Sequence, residues 1–228
     1  MVAIDFEKAF DSISWNFLLK ALKSFNLGES FVKWISVFYS NISSCVINNG
    51  FSTPLFNVER GVRQGDPLSP YLFIIVLELL LIKIRSNPRI KGIKFGNVEV
   101  KLAAFADDLT TFVHDKASME HLFSTLGLFK KCSGLKLNKD KTEAYWLGSS
   151  HNCKQNLGIE TVNEPMKILG IYFTYNSRLK HELNFDTILK SLKKTLNGWQ
   201  WRNLTVFGKI QIIKTFAMPK LNCSVLPY

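Results

Sequence analysis

Residues 102–108 of this 228-residue chain read Leu-Ala-Ala-Phe-Ala-Asp-Asp, and a β-prone run resumes at Leu109 and Thr110. An apolar run, two adjacent acids and a second strand signal fit a tight turn between paired strands. With eight aspartates in the chain, about 0.3 Asp-Asp pairs arise by chance, so the dipeptide alone is weak. Its weight comes from the apolar flank, which is expected to set the acids beside buried strand rather than in a hydrophilic loop. The bland alternative is a solvated turn carrying two acids. Residues 2–6 form another β-like run containing Asp5. If the two strands are neighbours in one sheet, Asp5, Asp107 and Asp108 come together. Such carboxylates suit nucleotidyl transfer, where two divalent cations about 3.5–4 Å apart clamp the attacking and leaving oxygens.

The rest of the chain alternates strand and helix signals. Trp15, Leu18, Leu19, Leu22 and Phe25 fall at helical spacing, with Asp11-Ser12 as the expected N-cap and Gly28 near the stop. A second helix is expected over 30–39. Strands at 44–47 and 55–58 would join through Asn48-Asn49-Gly50, a turn sequence that tolerates positive φ. After a loop at 61–67, Ser69 reads as N-cap and Pro70 as first-turn residue of a helix to about residue 85. Strands at 98–105 and 109–113 flank the acids. A helix over 118–131 stops at Gly134. Strands at 142–147 and 168–173, separated by a polar stretch at 149–163, precede helices at 185–196 and 205–216.

With 46% apolar and 13% aromatic residues, the chain can bury a core. Its longest apolar run, 71–82, contains Glu78; it falls short of the roughly 20 residues that cross a bilayer and reads as a buried helix. No membrane span and no secretory signal are expected, which points to an intracellular protein of the nucleus or cytoplasm. Cys45, Cys132, Cys153 and Cys223 are widely spaced, so zinc is not expected and the thiols read as reduced. A formal charge of +11 suits a polyanionic partner. The surplus gathers late: residues 151–228 hold 11 basic and 4 acidic side chains.

Five segments, in order, carry a family resemblance: Asp5-Phe6-Glu7-Lys8-Ala9-Phe10-Asp11, Arg63-Gln64-Gly65-Asp66-Pro67-Leu68-Ser69-Pro70, Phe105-Ala106-Asp107-Asp108, residues 134–142, and Leu169-Gly170-Ile171. Together they resemble the palm motifs of reverse transcriptases. The FADD wording and the segment 199–228 are similar to LINE-type non-LTR retrotransposons rather than to intron maturases or telomerase. The resemblance implies an α/β (α+β) polymerase palm over 1–176, with a small, mainly antiparallel sheet and helices on one face. A helical segment over 177–228 would begin the thumb, and the fingers would be absent.

It also implies roles. Asp5 and Asp107 would hold two Mg²⁺ ions (or Mn²⁺) together with the Phe6 carbonyl, and Asp108 would support them. Phe10 would lie under the nucleotide sugar and disfavour a 2′-hydroxyl, its alternative being a core aromatic. Asp11 reads as a helix cap. Gln64 and Gly65 would meet the incoming nucleotide and the template base, Arg63 beside them would hold a phosphate or equally be a solvated loop charge, and Lys141 would protonate the leaving pyrophosphate. Lys141 can equally belong to a solvated basic strip with Lys136 and Lys139. Leu169, Gly170 and Ile171 would turn the chain so that its backbone grips the primer end, the alternative being an ordinary β-turn. Trp199, Trp201 and Arg202 read as buried anchors before nucleic-acid contacts. The implied partners are an RNA template, a DNA primer and dNTPs; the competing reading is a catalytically inactive, truncated remnant that binds nucleic acid.

Overall fold

Val2–Ile4 alternates buried and half-buried positions because one strand face lies on the core, and it forms the middle of a five-stranded sheet. The structure, a computed structural model, describes residues 1–148, 158–162 and 165–225. The strand order is Glu160–Thr161, Glu143–Ala144, Val2–Ile4, Asp108–Thr111, Leu102–Phe105. Every pairing is antiparallel except the first, which is parallel. The sheet belongs to one of two compact units, Met1–Thr161; the other is Val162–Tyr228. The expected polar stretch at 149–163 lies largely outside the described residues.

Three helices supply most of the first unit's core. Trp15–Ser24 buries Leu18, Ala21 and Leu22, and Lys116–Ser133 buries Met119, Leu122 and Leu126. Ser69–Ser86 buries Leu72, Phe73, Val76, Leu77, Leu80, Leu81 and Ile84 at spacings of one, three and four, one face of a 3.6-residue period. These side chains form one cluster with Val2, Ile4, Leu109 and Ala144. Fully burying each such side chain contributes about 1.5–3 kcal/mol. The apolar run 71–82 is only partly buried, however: Tyr71 is 67% exposed, and Ile74 and Ile82 also face out. Glu29–Phe38 likewise buries Val32 and Ile35 while leaving Trp34, Val37 and Phe38 exposed.

The caps differ from the sequence reading. Ser69 lies within its helix, and its buried hydroxyl has no hydrogen-bond partner. Asp66 performs the turn instead: its carboxylate accepts from the Leu68 N–H at 3.0 Å and its carbonyl from the Ser69 N–H at 3.2 Å. Asp11 sits inside the short helix Ala9–Ser12 and caps nothing. Ser12 donates back to the carbonyls of Glu7 and Lys8, and the next helix starts only at Trp15, after Ser14. The helix Lys116–Ser133 is capped by Asp115, whose carboxylate accepts from Ser118 N–H at 2.7 Å, and ends at Gly134 with φ 86°.

A hairpin turn forms at Asn49-Gly50, both residues at positive φ, but it joins Ile47–Asn48 to Phe51–Ser52 rather than the expected strands 44–47 and 55–58, and Asn48 belongs to a strand. Ser43–Ser44 pairs separately with Phe56–Asn57. The expected strand 98–105 is two strands: Val98–Val100 pairs with Ile93–Phe95, and Leu102–Phe105 joins the main sheet.

In the second unit, Met166–Ile168 and Ile171–Phe173 form a hairpin. Ser177–His181, a π-helical turn Glu182–Asp186 and Thr187–Gln200 then follow without a break. Val206–Ile212, a second π turn Ile213–Ala217 and Met218–Val225 close the described chain. Ile188, Leu192 and Leu196 are half-buried while Lys190, Lys193 and Lys194 face solvent, the division an amphipathic helix requires. Trp199 meets Phe216 at 5.7 Å, and the Arg202 guanidinium lies 4.6 Å from its ring centroid. Trp201 is not a buried anchor; it is 91% exposed. Among the described residues, no helix is long and apolar enough to cross a membrane.

Candidate catalytic site

The sheet register gathers the acids. Val2 pairs with Thr111, Ala3 with Thr110 and Ile4 with Leu109, so the next residue, Asp5, arrives opposite Asp108. Asp108 in turn pairs with Phe105, which leaves Ala106 and Asp107 as a two-residue turn. Ala106 adopts φ 52° there, a left-handed conformation that costs a residue with a Cβ about 1–3 kcal/mol. Asp107 therefore stands at the tip of a strained turn.

The backbone of Asp5 is fixed from a distant part of the sequence. Lys136–Leu137 pairs antiparallel with Phe6–Glu7. Beyond it, Asn138 N–H donates to the Asp5 carbonyl at 2.9 Å, and Asp5 N–H donates to Thr142 Oγ1 at 3.3 Å. Thr142 Oγ1 donates to the Asn138 carbonyl at 2.6 Å. Thr142 is fully buried, so this link is shielded from competing water. Asn138 and Thr142 are positioning residues that the sequence reading included in the segment 134–142 without giving them a role. The available signal was their spacing of four in a polar loop, as in a turn closed by a side-chain hydroxyl.

Electrostatics agree with the register. Asp108 is exposed at the surface, yet partial burial of its carboxyl, then the charges of Asp107 and Asp5, push it above the usual carboxylate range. Like charges drawn together in this way disfavour one another's ionised form, a repulsion that a proton or a cation relieves. Among the described residues, no group of three His, Cys, Asp or Glu side chains is placed to hold a metal ion by itself. An open set of two carboxylates suits Mg²⁺, which dehydrates reluctantly and is usually bound through one or two carboxylates plus substrate phosphates. The Phe6 side chain is a buried hydrocarbon, and its one oxygen is the backbone carbonyl. The flank does not behave as expected: Ala103, Ala104 and Phe105 are exposed, Phe105 at 68%, because this strand lies at the sheet edge.

A second group of candidates forms around residues 10–15. The Phe10 ring is half-buried and stacks on the core residue Phe73, with centroids 4.8 Å apart and planes 10° from parallel. The loop that carries Arg63, Gln64 and Gly65 is tied beside it. Val62 N–H donates to the Phe10 carbonyl at 2.7 Å, Gly61 N–H to Ile13 at 2.8 Å, and Trp15 Nε1 to Gly61 at 2.8 Å. Gln64 Nε2 reaches the Asp11 carboxylate at 3.4 Å, and Arg63 and Gly65 are exposed.

Lys141 is exposed and next to Thr142. Lys136 is not simply a solvated cation, since its ammonium meets the Glu7 carboxylate at 2.7 Å. Leu169 and Gly170 lie in the second unit, where they form the two-residue hairpin turn, at φ 47° and 85°. Positive φ at both positions is the turn geometry that matches strand twist.

Over residues 1–173 the chain matches the family described as reverse transcriptase (RNA-dependent DNA polymerase). It is 32% identical over 195 residues to the retrovirus-related Pol polyprotein of the type-2 retrotransposable element R2DM of Drosophila melanogaster, covering 78% of this chain and 18% of that protein. A Pol polyprotein of the type-1 element R2 of Popillia japonica is 28% identical over 231 residues, or 97% of this chain and 32% of the relative. The chain thus spans less than a third of either. Telomerase from Candida albicans, solved with a TWJ fragment of telomeric RNA, shares the fold at a TM-score of 0.56 and 12% identity, over 98% of this chain and 43% of that one.

Proposed function

The chain belongs to the reverse transcriptase family, in its LINE-type non-LTR branch, and from that premise we propose that it carries the catalytic palm of an RNA-directed DNA polymerase. The observation that carries this reading is the sheet register that sets Asp5 opposite Asp108, with Asp107 at the adjoining turn. The reaction is attack of a DNA primer 3′-hydroxyl on the α-phosphate of a dNTP, templated by RNA. The palm would occupy 1–176, and residues 177–228 would begin the thumb.

Asp5 and Asp107, with the Phe6 carbonyl, would hold Mg²⁺ or Mn²⁺; Asp108 would add negative charge beside them. When bound, such ions supply charge stabilisation at the reacting oxygens. The protein's own part is positioning. Asn138 and Thr142 keep the Asp5 backbone in place, and the loop tied to Phe10 and Ile13 would present Arg63, Gln64 and Gly65 to the nucleotide and template. The open side of the Phe10 ring would face the sugar, and a ring there selects against a 2′-hydroxyl by contact. Lys141, exposed beside Thr142, would donate the proton that pyrophosphate takes up on leaving, and Leu169-Gly170-Ile171 would hold the primer end.

Primer extension on an RNA template with Mg²⁺ and dNTPs tests the reading. Asp107→Ala is expected to lower incorporation by about 100- to 1000-fold, the scale of losing one preorganised electrostatic group. Equal incorporation by parent and variant would sink the proposal. If neither chain extends a primer while both bind RNA with steep salt dependence, the +11 charge favours a nucleic-acid-binding remnant.

A further inference from the structure

The Leu169-Gly170 turn is anchored by a residue to which the catalytic reading gives no task. Ile168 and Ile171 close the two-residue loop, and the next pair is Lys167 and Tyr172. In an antiparallel ladder, hydrogen-bonded and non-hydrogen-bonded pairs alternate. The pair next to the loop bonds inward, so Tyr172 directs its N–H and C=O to the outer edge, away from its partner strand. With no third strand in this sheet among the described residues, both groups need a partner from elsewhere.

One side chain meets both. Asn184 Oδ1 accepts from Tyr172 N–H at 2.8 Å, and Asn184 Nδ2 donates to the Tyr172 carbonyl at 2.8 Å. The carboxamide thus pairs with Tyr172 as a peptide group of a third strand would. Nδ2 also donates to the Lys180 carbonyl at 3.0 Å, four residues back along its own helix. Asn184 is only 7% exposed, so these bonds are largely shielded from water. It lies within the π-helical turn Glu182–Asp186, where the wider turn shifts side-chain direction relative to an α-helix; such bulges often occur at functional sites. Neither Ala nor Leu offers a hydrogen-bonding group, and Asp offers no donor when ionised.

We propose that Asn184 is a positioning residue for the primer end, locking the Leu169-Gly170 turn to the helix that follows it. This rests on the reading of Leu169-Gly170-Ile171 as the primer grip. Losing the amide leaves the outer edge of Tyr172 unpaired and lets the turn drift relative to the helix. The consequence is selective: primer-end handling weakens, while nucleotide handling, assigned to residues of the other compact unit, does not.

The test uses the full 228-residue chain with Asn184→Ala, Asn184→Asp and, as a marker of the turn itself, Gly170→Val. Steady-state extension gives KM for primer–template and for dNTP separately. Equilibrium binding to an RNA–DNA hybrid with a recessed 3′ end, compared with the same hybrid made blunt, reads primer-end preference without turnover. Hydrogen exchange at the Tyr172 amide reports the lost bond directly. Asn184→Ala is expected to raise the primer–template KM, or reduce recessed-end preference, about tenfold, as loss of buried polar pairing implies. The dNTP KM should stay unchanged, and exchange at Tyr172 should rise. Asn184→Asp keeps the acceptor and is expected to fall between parent and Asn184→Ala.

If Gly170→Val impairs primer handling and Asn184→Ala does not, the Asn184 proposal is overturned and the primer-grip reading stands. If Gly170→Val leaves primer handling untouched, the primer-grip reading falls and takes the proposal with it. Equal loss in primer and nucleotide KM, with faster exchange throughout the second unit, would also overturn the proposal by reducing Asn184 to a general stabiliser.

Discussion

Gly61→Ala tests how tightly the loop that carries Arg63, Gln64 and Gly65 is bound to the residues that follow Asp5. Gly61 has φ +89°, and a Cβ there would lie 2.8 Å from Asp11 Cα, 2.9 Å from its carbonyl oxygen and 3.0 Å from its carbonyl carbon. All three are backbone atoms, so no flexible side chain can swing aside. Positive φ costs a residue with a Cβ about 1–3 kcal/mol, and overpacking adds about 1–3 kcal/mol. Restriction of the unfolded chain returns about 0.4–1 kcal/mol. The net expectation is a loss of about 2–5 kcal/mol, a large share of a domain's typical total of about 5–15 kcal/mol. Gly65→Ala is the control, since Gly65 has φ +86° but nothing within 4 Å of its added Cβ. It carries the strain without the overlap, and should cost about 2 kcal/mol or less. Urea unfolding of both variants, read as a shift in midpoint at unchanged slope, separates the two contributions. Equal destabilisation by the two substitutions would refute the argument that backbone contact with Asp11 fixes this loop.

Two further predictions concern pH. Partial burial and the neighbouring Asp107 and Asp5 raise the Asp108 pKa in the folded chain, so its folding contribution is most favourable below the unfolded carboxylate value and is lost as pH rises through the folded one. Asp108→Asn should therefore raise thermal stability at neutral pH relative to the parent, with the gain shrinking below about pH 4; a constant gain across that range contradicts the assignment. Asp115 has the opposite sign. Its carboxylate is held below the usual range by the Ser118 N–H first, then by the Ser118 hydroxyl, so its stabilisation is present above the unfolded value and is lost as pH falls through the folded one. Asp115→Ala should cost about 1 kcal/mol through the lost cap, whereas Asp115→Asn should retain most of the cap and flatten the acid limb of the stability profile, as urea midpoints across pH would show.

What the sequence revealed was chemistry carried within one local segment. The Phe105-Ala106-Asp107-Asp108 turn was legible because apolar residues and acids switch within a few positions, and the Asn49-Gly50 hairpin because its dipeptide states its own backbone geometry. Sheet position was not legible. Residues 102–105 read as buried strand, but period and composition do not distinguish a central strand from an edge strand, and here the edge leaves Phe105 exposed. Capping failed for a related reason. Ser69 and Asp11 are suitable cap residues, but a cap depends on the direction from which the chain enters the helix, and that entry places Asp66 in reach of Leu68 N–H while drawing Asp11 into a helical turn. The positioning residues were the least visible. Asn138 and Thr142 were visible only as members of the segment 134–142, and Asn184 fell just before the expected helix 185–196, because their partners at Asp5 and Tyr172 are fixed only after strands pair or a π turn forms. An acid that binds substrate or ion needs only its own charge, so it can be found from its neighbours. A residue that holds such an acid in place is defined by its partner. The proposed site is therefore more robust as a set of chemical groups than as a list of supports, and substitutions at Asn138 or Thr142 probe something that a motif search for aspartates would pass over.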